Sequence, residues 1–161
     1  MLSKSMADKG LARQQLITPI GRLTIEASDR GVQKIHFSAK KEIDPRTRRV
    51  ERHLSQAKKE IEEYFSGLRK NFRFEVDLQG SSFEKKVWCA AKKIPFGKLV
   101  SYTDLAEKIG NSKAARAVGS ALKKNPLPLA VPCHRVVSKS GDLAGFSGGL
   151  ERKEWLIEHE V

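Results

Sequence analysis

Cysteine is scarce in this chain, with only Cys89 and Cys133 among 161 residues. Two thiols cannot build a disulfide framework, and neither has the paired spacing of a zinc site, so free thiols, a reducing compartment and no metal centre are expected. Long apolar runs are missing as well. Met1–Gln14 is polar and charged, with nothing able to act as a signal peptide or membrane span. A cytoplasmic protein (nuclear in a eukaryote) with no membrane partner is therefore expected. Acidic residues are in deficit: 19 Asp and Glu against 31 Lys and Arg leave a net charge of +12 and a pI near 9.9. The imbalance favours a polyanionic partner, because each Lys or Arg that neutralises a phosphate releases condensed counterions. There are no internal repeats or low-complexity tracts. An apolar content of 39% excludes a disordered tail and suffices for one full domain or two small ones.

The first half has the pattern of a small α/β scaffold. Leu16–Glu26 and Gly31–Phe37 carry apolar residues at strand spacing around the turn-forming Ser28-Asp29-Arg30-Gly31, which predicts a hairpin. Val50, Leu54, Ala57, Ile61, Tyr64 and Phe65 recur at helical spacing between Arg46 and Leu68, and Gly67 is a plausible stop. Phe72, Phe74, Val76 and Leu78 alternate as a third strand would. Gln79-Gly80-Ser81 is the expected linker, giving a scaffold domain over 1–80, flexible over 1–14, and a second domain over 81–161.

Chemistry concentrates in that second domain. Ser81 and Glu84 stand at capping-box spacing ahead of Phe83, Val87, Trp88 and Ala91 on one helical face. Cys89, within that helix, is expected to be a small buried hydrophobe. Pro95-Phe96-Gly97-Lys98 breaks the pattern. Thr103 can cap a helix over Asp104–Lys108, and Ser112 a second over Lys113–Lys123; with Gly110 between them, this is the outline of a helix-turn-helix. A basic set surrounds it: Lys92, Lys93, Lys98, Lys108, Lys113, Arg116, Lys123, Lys124 and Arg135. The second helix offers Ala114, Ala115, Ala117, Gly119 and Ala121 with Arg116, and few of the side chains that read base edges. Such a slim helix suits close approach to a groove, with one long cation to fill the gap left by an extruded base.

Val131-Pro132-Cys133-His134-Arg135-Val136-Val137 then puts a thiol beside an imidazole inside an apolar run, the minimum set for a cysteine nucleophile. Ser101-Tyr102, Asn111–Gly119, Asn125-Pro126, Pro132–Val136, Ser147–Leu150 and Lys153–Leu156, in this order, resemble the O6-alkylguanine-DNA alkyltransferase family, specifically from about Phe83 to Glu160. The resemblance implies an α/β (α+β) fold. Its N-terminal part would be a ribonuclease-H-like antiparallel sheet with a helix, and its C-terminal part a mostly helical, winged-helix-like domain with a DNA-binding helix-turn-helix.

The same resemblance implies direct, stoichiometric DNA repair without a cofactor, by a monomer that can bind double-stranded DNA cooperatively. Cys133 would accept the alkyl group of O6-alkylguanine, and possible substrates extend to O4-alkylthymine. Glu160 would orient His134, which would act through a water on Cys133. Tyr102 would donate to the flipped base, and Asn125 would tie the recognition helix to the active-site strand. The main-chain carbonyls of Cys133 and Val136 would accept the guanine amino group, the amide of Ser147 would meet O6, Phe146 would form an aromatic wall, and Lys153 would line the pocket. Arg116 would be the intercalating finger, carried on Ala114, Ala115, Ala117 and Gly119. Phe146 departs from the tyrosine common in the family. The zinc of some relatives has no counterpart, since no cysteine precedes Cys89. The alternatives are a non-catalytic alkyltransferase-like damage binder, which would lack Cys133, and a helix-turn-helix regulator, which would leave the Cys-His run unexplained.

Overall fold

A computed structural model describes residues 10–146 and 148–161, which separate into two compact units meeting between Leu78 and Gln79. In the first unit, β1 (Ala12–Thr18), β2 (Gly21–Ser28) and β3 (Gly31–His36) form an antiparallel sheet in the order β1-β2-β3. The expected strand over Leu16–Glu26 is thus two strands. Thr18-Pro19-Ile20-Gly21 turns the chain between them, with Gly21 at φ 110° and the Thr18 hydroxyl donating to the Gly21 carbonyl. Ala12–Gln14, expected to be flexible, pair with β2; Met1–Lys9 of that expectation lie outside the described residues.

The helix α1 (Arg48–Phe65) is capped by Thr47, whose hydroxyl accepts from the Val50 amide. Its stripe of Val50, Leu54, Ala57, Ile61 and Tyr64 buries against the sheet, whose buried residues include Leu16, Leu23, Ile25, Val32 and Ile35. Because β2 is central, its alternate residues are covered too: Thr24 bonds to Ser38 and Lys40, and Glu26 pairs with Arg13 and His36.

Phe72–Leu78 is not a third hairpin strand. Its backbone pairs with β3 at one parallel bridge, Val32 to Val76, while the amides of Arg73 and Phe74 go to the buried carboxylate of Glu60. A side chain from α1 takes the hydrogen bonds that a ladder would have used.

In the second unit, α2 (Ser82–Lys92) begins at the expected Ser81/Glu84 capping box and lies against α4 (Ala115–Lys123), with the Trp88 indole donating to the Ala121 carbonyl at 2.9 Å. Between them comes α3 (Tyr102–Lys108), capped by Ser101 with Asp104 as reciprocal partner, rather than by Thr103. The cap of α4 also differs from expectation: Ala114 occupies that position without a side-chain bond, and Ser112 falls outside the helix. Two short parallel strands, β4 (Val100–Ser101) and β5 (Val136–Val137), join the start of the helix pair to the Cys-His run. The terminal helix α5 (Leu150–His159) packs on the 3-10 turn Cys133–Arg135. Among the described residues no helix is long and apolar enough to cross a membrane.

Candidate active site

Cys133 opens the 3-10 turn and is buried, its Sγ accepting a hydrogen bond from Asn125 Nδ2 at 3.2 Å. Asn125 Nδ2 also donates to the Val131 carbonyl, and Asn125 Oδ1 accepts from the Leu127 amide. One side chain thus makes the Asn-Pro turn and also ties the end of α4 to the segment carrying the thiol. Burial pushes the thiol pKa up to about 11, and this rise is opposed by the Asn125 bond and by the positive charge of Lys153. The isolated site therefore stores the cysteine as a thiol, and ionisation requires a base.

The next residue in the chain carries an imidazole. His134 is 1% exposed, with Nε2 2.8 Å from Glu160 Oε2. Glu160 is in turn held by a fork from Arg135: Nε to Oε1 at 2.8 Å and Nη2 to Oε2 at 2.9 Å, while Nη1 reaches the Ile94 carbonyl. A carboxylate receiving a two-pronged guanidinium stays ionised, so the shared hydrogen belongs to His134 Nε2. Nδ1 is then the free lone pair, buried and without a hydrogen-bond partner among the described residues. Burial lowers the pKa of His134 against the opposing pull of Glu160, which keeps the ring a neutral acceptor.

Tyr102, Gly119, Leu122, Lys123, Gly145 and Phe146 close a small cavity around Cys133. The Tyr102 hydroxyl has a raised pKa, through burial first and the neighbouring thiol second, so it remains a donor. Outside, a wider cleft is lined by Tyr102 again and by Ala115, Arg116, Gly119, Ser120 and Lys123 of α4. Among the described residues no cluster of His, Cys, Asp and Glu could hold a metal ion.

Known proteins match this chain along nearly its whole length. Residues 82–161 match the DNA binding domain of 6-O-methylguanine DNA methyltransferase, and residues 14–78 match its ribonuclease-like domain. The chain belongs to the 6-O-methylguanine DNA methyltransferase family. It is 38% identical over 146 residues to the methylated-DNA–protein-cysteine methyltransferase of Methanosarcina acetivorans, covering 89% of this chain and 94% of that one. The constitutive enzyme of that name from Bacillus subtilis is 39% identical, with 89% and 91% covered. The crystal structure of Mycobacterium tuberculosis O6-methylguanine methyltransferase superposes with a TM-score of 0.82 at 35% identity, over 93% of this chain and 92% of that one. The M. tuberculosis protein in complex with DNA gives 0.79 at 35% identity, over 92% and 91%.

Of the residues that likeness to the methyltransferase family nominates, Cys133, His134, Glu160 and Asn125 come together as one hydrogen-bonded cluster or its immediate neighbour, and Tyr102 and Phe146 face the cavity. Lys153 departs from expectation. It is wholly buried and absent from the cavity wall, and its ammonium donates to the carbonyls of Val136, Leu143 and Gly145, clamping the loop that carries Phe146 to β5. The Val136 carbonyl therefore already accepts one hydrogen bond, which leaves one lone pair.

Ala115, Arg116 and Gly119 line the outer cleft, whereas Ala114 packs inward and Ala117 lines a separate groove beside Phe83 and Glu84. Ser147 lies outside the described residues. Cys89 is exposed, not buried. Arg135, counted on charge with the basic set around the helix pair, is buried on Glu160. Its position inside an apolar run was the signal of a paired interior charge.

Proposed function

We propose that this protein repairs DNA by moving the alkyl group of O6-alkylguanine in duplex DNA irreversibly to Cys133, once per molecule. The observation that carries the reading is the Cys133 thiol, bonded to Asn125 and followed by the His134–Glu160–Arg135 chain, in a cavity that opens onto the Arg116 face of α4.

In this reading the base leaves the stack to enter the cavity, Arg116 takes its place, and Phe146 and Tyr102 flank the ring. The thiol proton passes towards His134 Nδ1 through a bridging water, and the Glu160 carboxylate stabilises the imidazolium that forms. The sulfur then attacks the alkyl carbon in line: an S–C bond forms, the C–O6 bond breaks, and its electron pair leaves on the guanine. Tyr102, still protonated, donates to a ring nitrogen and neutralises the departing base. The Cys133 and Val136 carbonyls and the Ser147 amide select guanine, since a wrong base would leave a buried polar group unpaired. No cofactor is required, because the thiol supplies the electron pair and the base is the leaving group. The thioether has no leaving group for a second cycle. The protein works as a monomer on duplex DNA, in a reducing compartment that holds DNA, the cytoplasm or a nucleus.

Intact-protein mass after mixing with a duplex carrying one O6-methylguanine tests this. The expected result is a gain of one methyl per protein that stops at one, maps to Cys133 and disappears in Cys133→Ala. Tight binding without a mass change would replace the reading with a damage-sensing binder.

A further inference from the structure

Lys123 closes α4 and lines both the cavity around Cys133 and the wider cleft outside it. Tyr102 and Gly119 are the other residues common to the two, so Lys123 is the cation at the threshold between them. Its stem lies over the loop: a Cβ built on Gly145 would meet Lys123 Cε at 3.6 Å. The residue is exposed and makes no ion pair among the described residues. A helix dipole favours a lysine in the last turn, but it does not by itself turn the stem towards the cavity.

Along α4 the cleft-lining residues Arg116, Gly119, Ser120 and Lys123 stand at i, i+3, i+4 and i+7, one helical face. Two cations thus bracket a small-residue saddle, separated along the axis by ~10 Å at the helical rise per residue.

A nucleotide that swings out of a duplex carries its flanking phosphates with it to the mouth of the pocket. There a phosphate leaves bulk water and needs a counter-charge. We propose that Lys123 is the phosphate anchor of the extruded nucleotide, its ammonium neutralising a phosphate directly flanking the flipped guanosine while Arg116 fills the stack two turns away. This rests on the alkyltransferase reading and adds to it a second cation with a different task. Arg116 holds the hole open, and Lys123 holds the displaced backbone at the rim of the cavity.

The test is a cycle between protein and DNA. Methyl transfer to Cys133 is timed by mass for the wild type, Lys123→Gln and Lys123→Arg. The substrates are an O6-methylguanine duplex with all phosphates charged, and two duplexes in which the phosphate 5′ or 3′ of the lesion is a neutral methylphosphonate. Lys123→Gln is expected to slow transfer about tenfold, the scale of one charge-assisted contact, and Lys123→Arg to retain most of the rate. For the wild type, one of the two methylphosphonates should cause a similar loss. Lys123→Gln should be indifferent to that substitution, so the two losses do not multiply.

Full multiplication of the losses at both phosphate positions would overturn the anchor, as would an unchanged rate for Lys123→Gln on the charged duplex. Failure of the wild type to take up methyl from the charged duplex would overturn the alkyltransferase reading itself, an outcome that needs no variant to recognise.

Discussion

Arg135 shows how much of a buried hydrogen-bond network can rest on one side chain. Its guanidinium spans both oxygens of Glu160 and the Ile94 carbonyl and lies over the Phe96 ring at 5.8 Å, all of it buried. Removing one partner of such a pair leaves an uncompensated interior charge, at a cost of about 3–5 kcal/mol. Arg135→Met should therefore destabilise the protein by roughly that amount in urea unfolding and slow methyl transfer; adding Glu160→Gln should recover stability but not rate, since His134 would still lack a charged orienting partner. Stability that follows the rate in the double variant would show that Arg135 acts only as packing.

Charge counting could not separate Arg135 from the exposed cations around the helix pair, because a tally of Lys and Arg carries no information about burial. The Cys133-His134 pair was legible because its two chemistries are adjacent. Lys153 was not: the three carbonyls it clamps come from β5 and a loop, so only the folded chain shows that its charge is spent on the backbone.

The imidazole also sets a pH dependence. His134 has a folded-state pKa below its ordinary value of about 6.5, so between the two values the unfolded chain binds a proton that the native protein refuses. Its contribution to stability is full above that ordinary value and is lost as pH falls through the depressed one. Thermal unfolding followed from pH 8 to pH 5 should show this acid-side loss in the wild type and a smaller one in His134→Gln. Cys133 has the opposite sign: the native state keeps a proton that the unfolded chain gives up. Its contribution is therefore lost as pH rises from about 9 towards about 11.

At the scale of elements, the helices α1 to α4 were legible, while the terminal helix α5 and the short β segments were not. α1 and α2 announce themselves by periodicity and, for α2, a capping box that the structure keeps. The first sheet misleads because Thr18-Pro19-Ile20-Gly21 puts an apolar residue inside the turn, so the apolar pattern runs on through it. Phe72–Leu78 misleads because a buried glutamate on α1 competes for its amides, a long-range effect with no local signature.

The Pro95–Lys98 break is more than an interruption. Gly97 has φ +81°, its amide donates to Glu160 Oε1, and a Cβ there would lie 2.9 Å from the Glu160 carbonyl oxygen. Backbone cannot yield as a flexible side-chain tip can, and positive φ adds strain for any L side chain. Gly97→Ala is expected to cost about 1–3 kcal/mol in stability and to slow alkyl transfer by displacing the end of α5 that carries Glu160. Unchanged rate and stability would mean that the loop absorbs the methyl group.

For the whole molecule, the decisive property is that the reaction product is the protein itself. Cys133 Sγ sits at 3.2 Å from Asn125 Nδ2 in a cavity bounded by Tyr102, Leu122 and Phe146, with the Lys153 clamp holding the loop behind it. A methyl group on that sulfur adds volume where interiors tolerate little, and overpacking typically costs about 1–3 kcal/mol. It also exchanges a thiol for a thioether, a weaker partner for the Asn125 amide that ties α4 to the active-site segment. Both effects act on α4, the helix proposed above to meet DNA, so the methylated protein should be looser there and hold DNA less firmly. Calorimetry before and after complete methylation should show Tm falling by about 2–12 °C, the shift that such an energy produces in a chain of this size. Hydrogen exchange should quicken first in α4 and the Leu143–Phe146 loop. A methylated protein that melts at the same temperature as the free thiol would mean the cavity yields without strain, and recognition of spent molecules would then need a signal other than loosened packing.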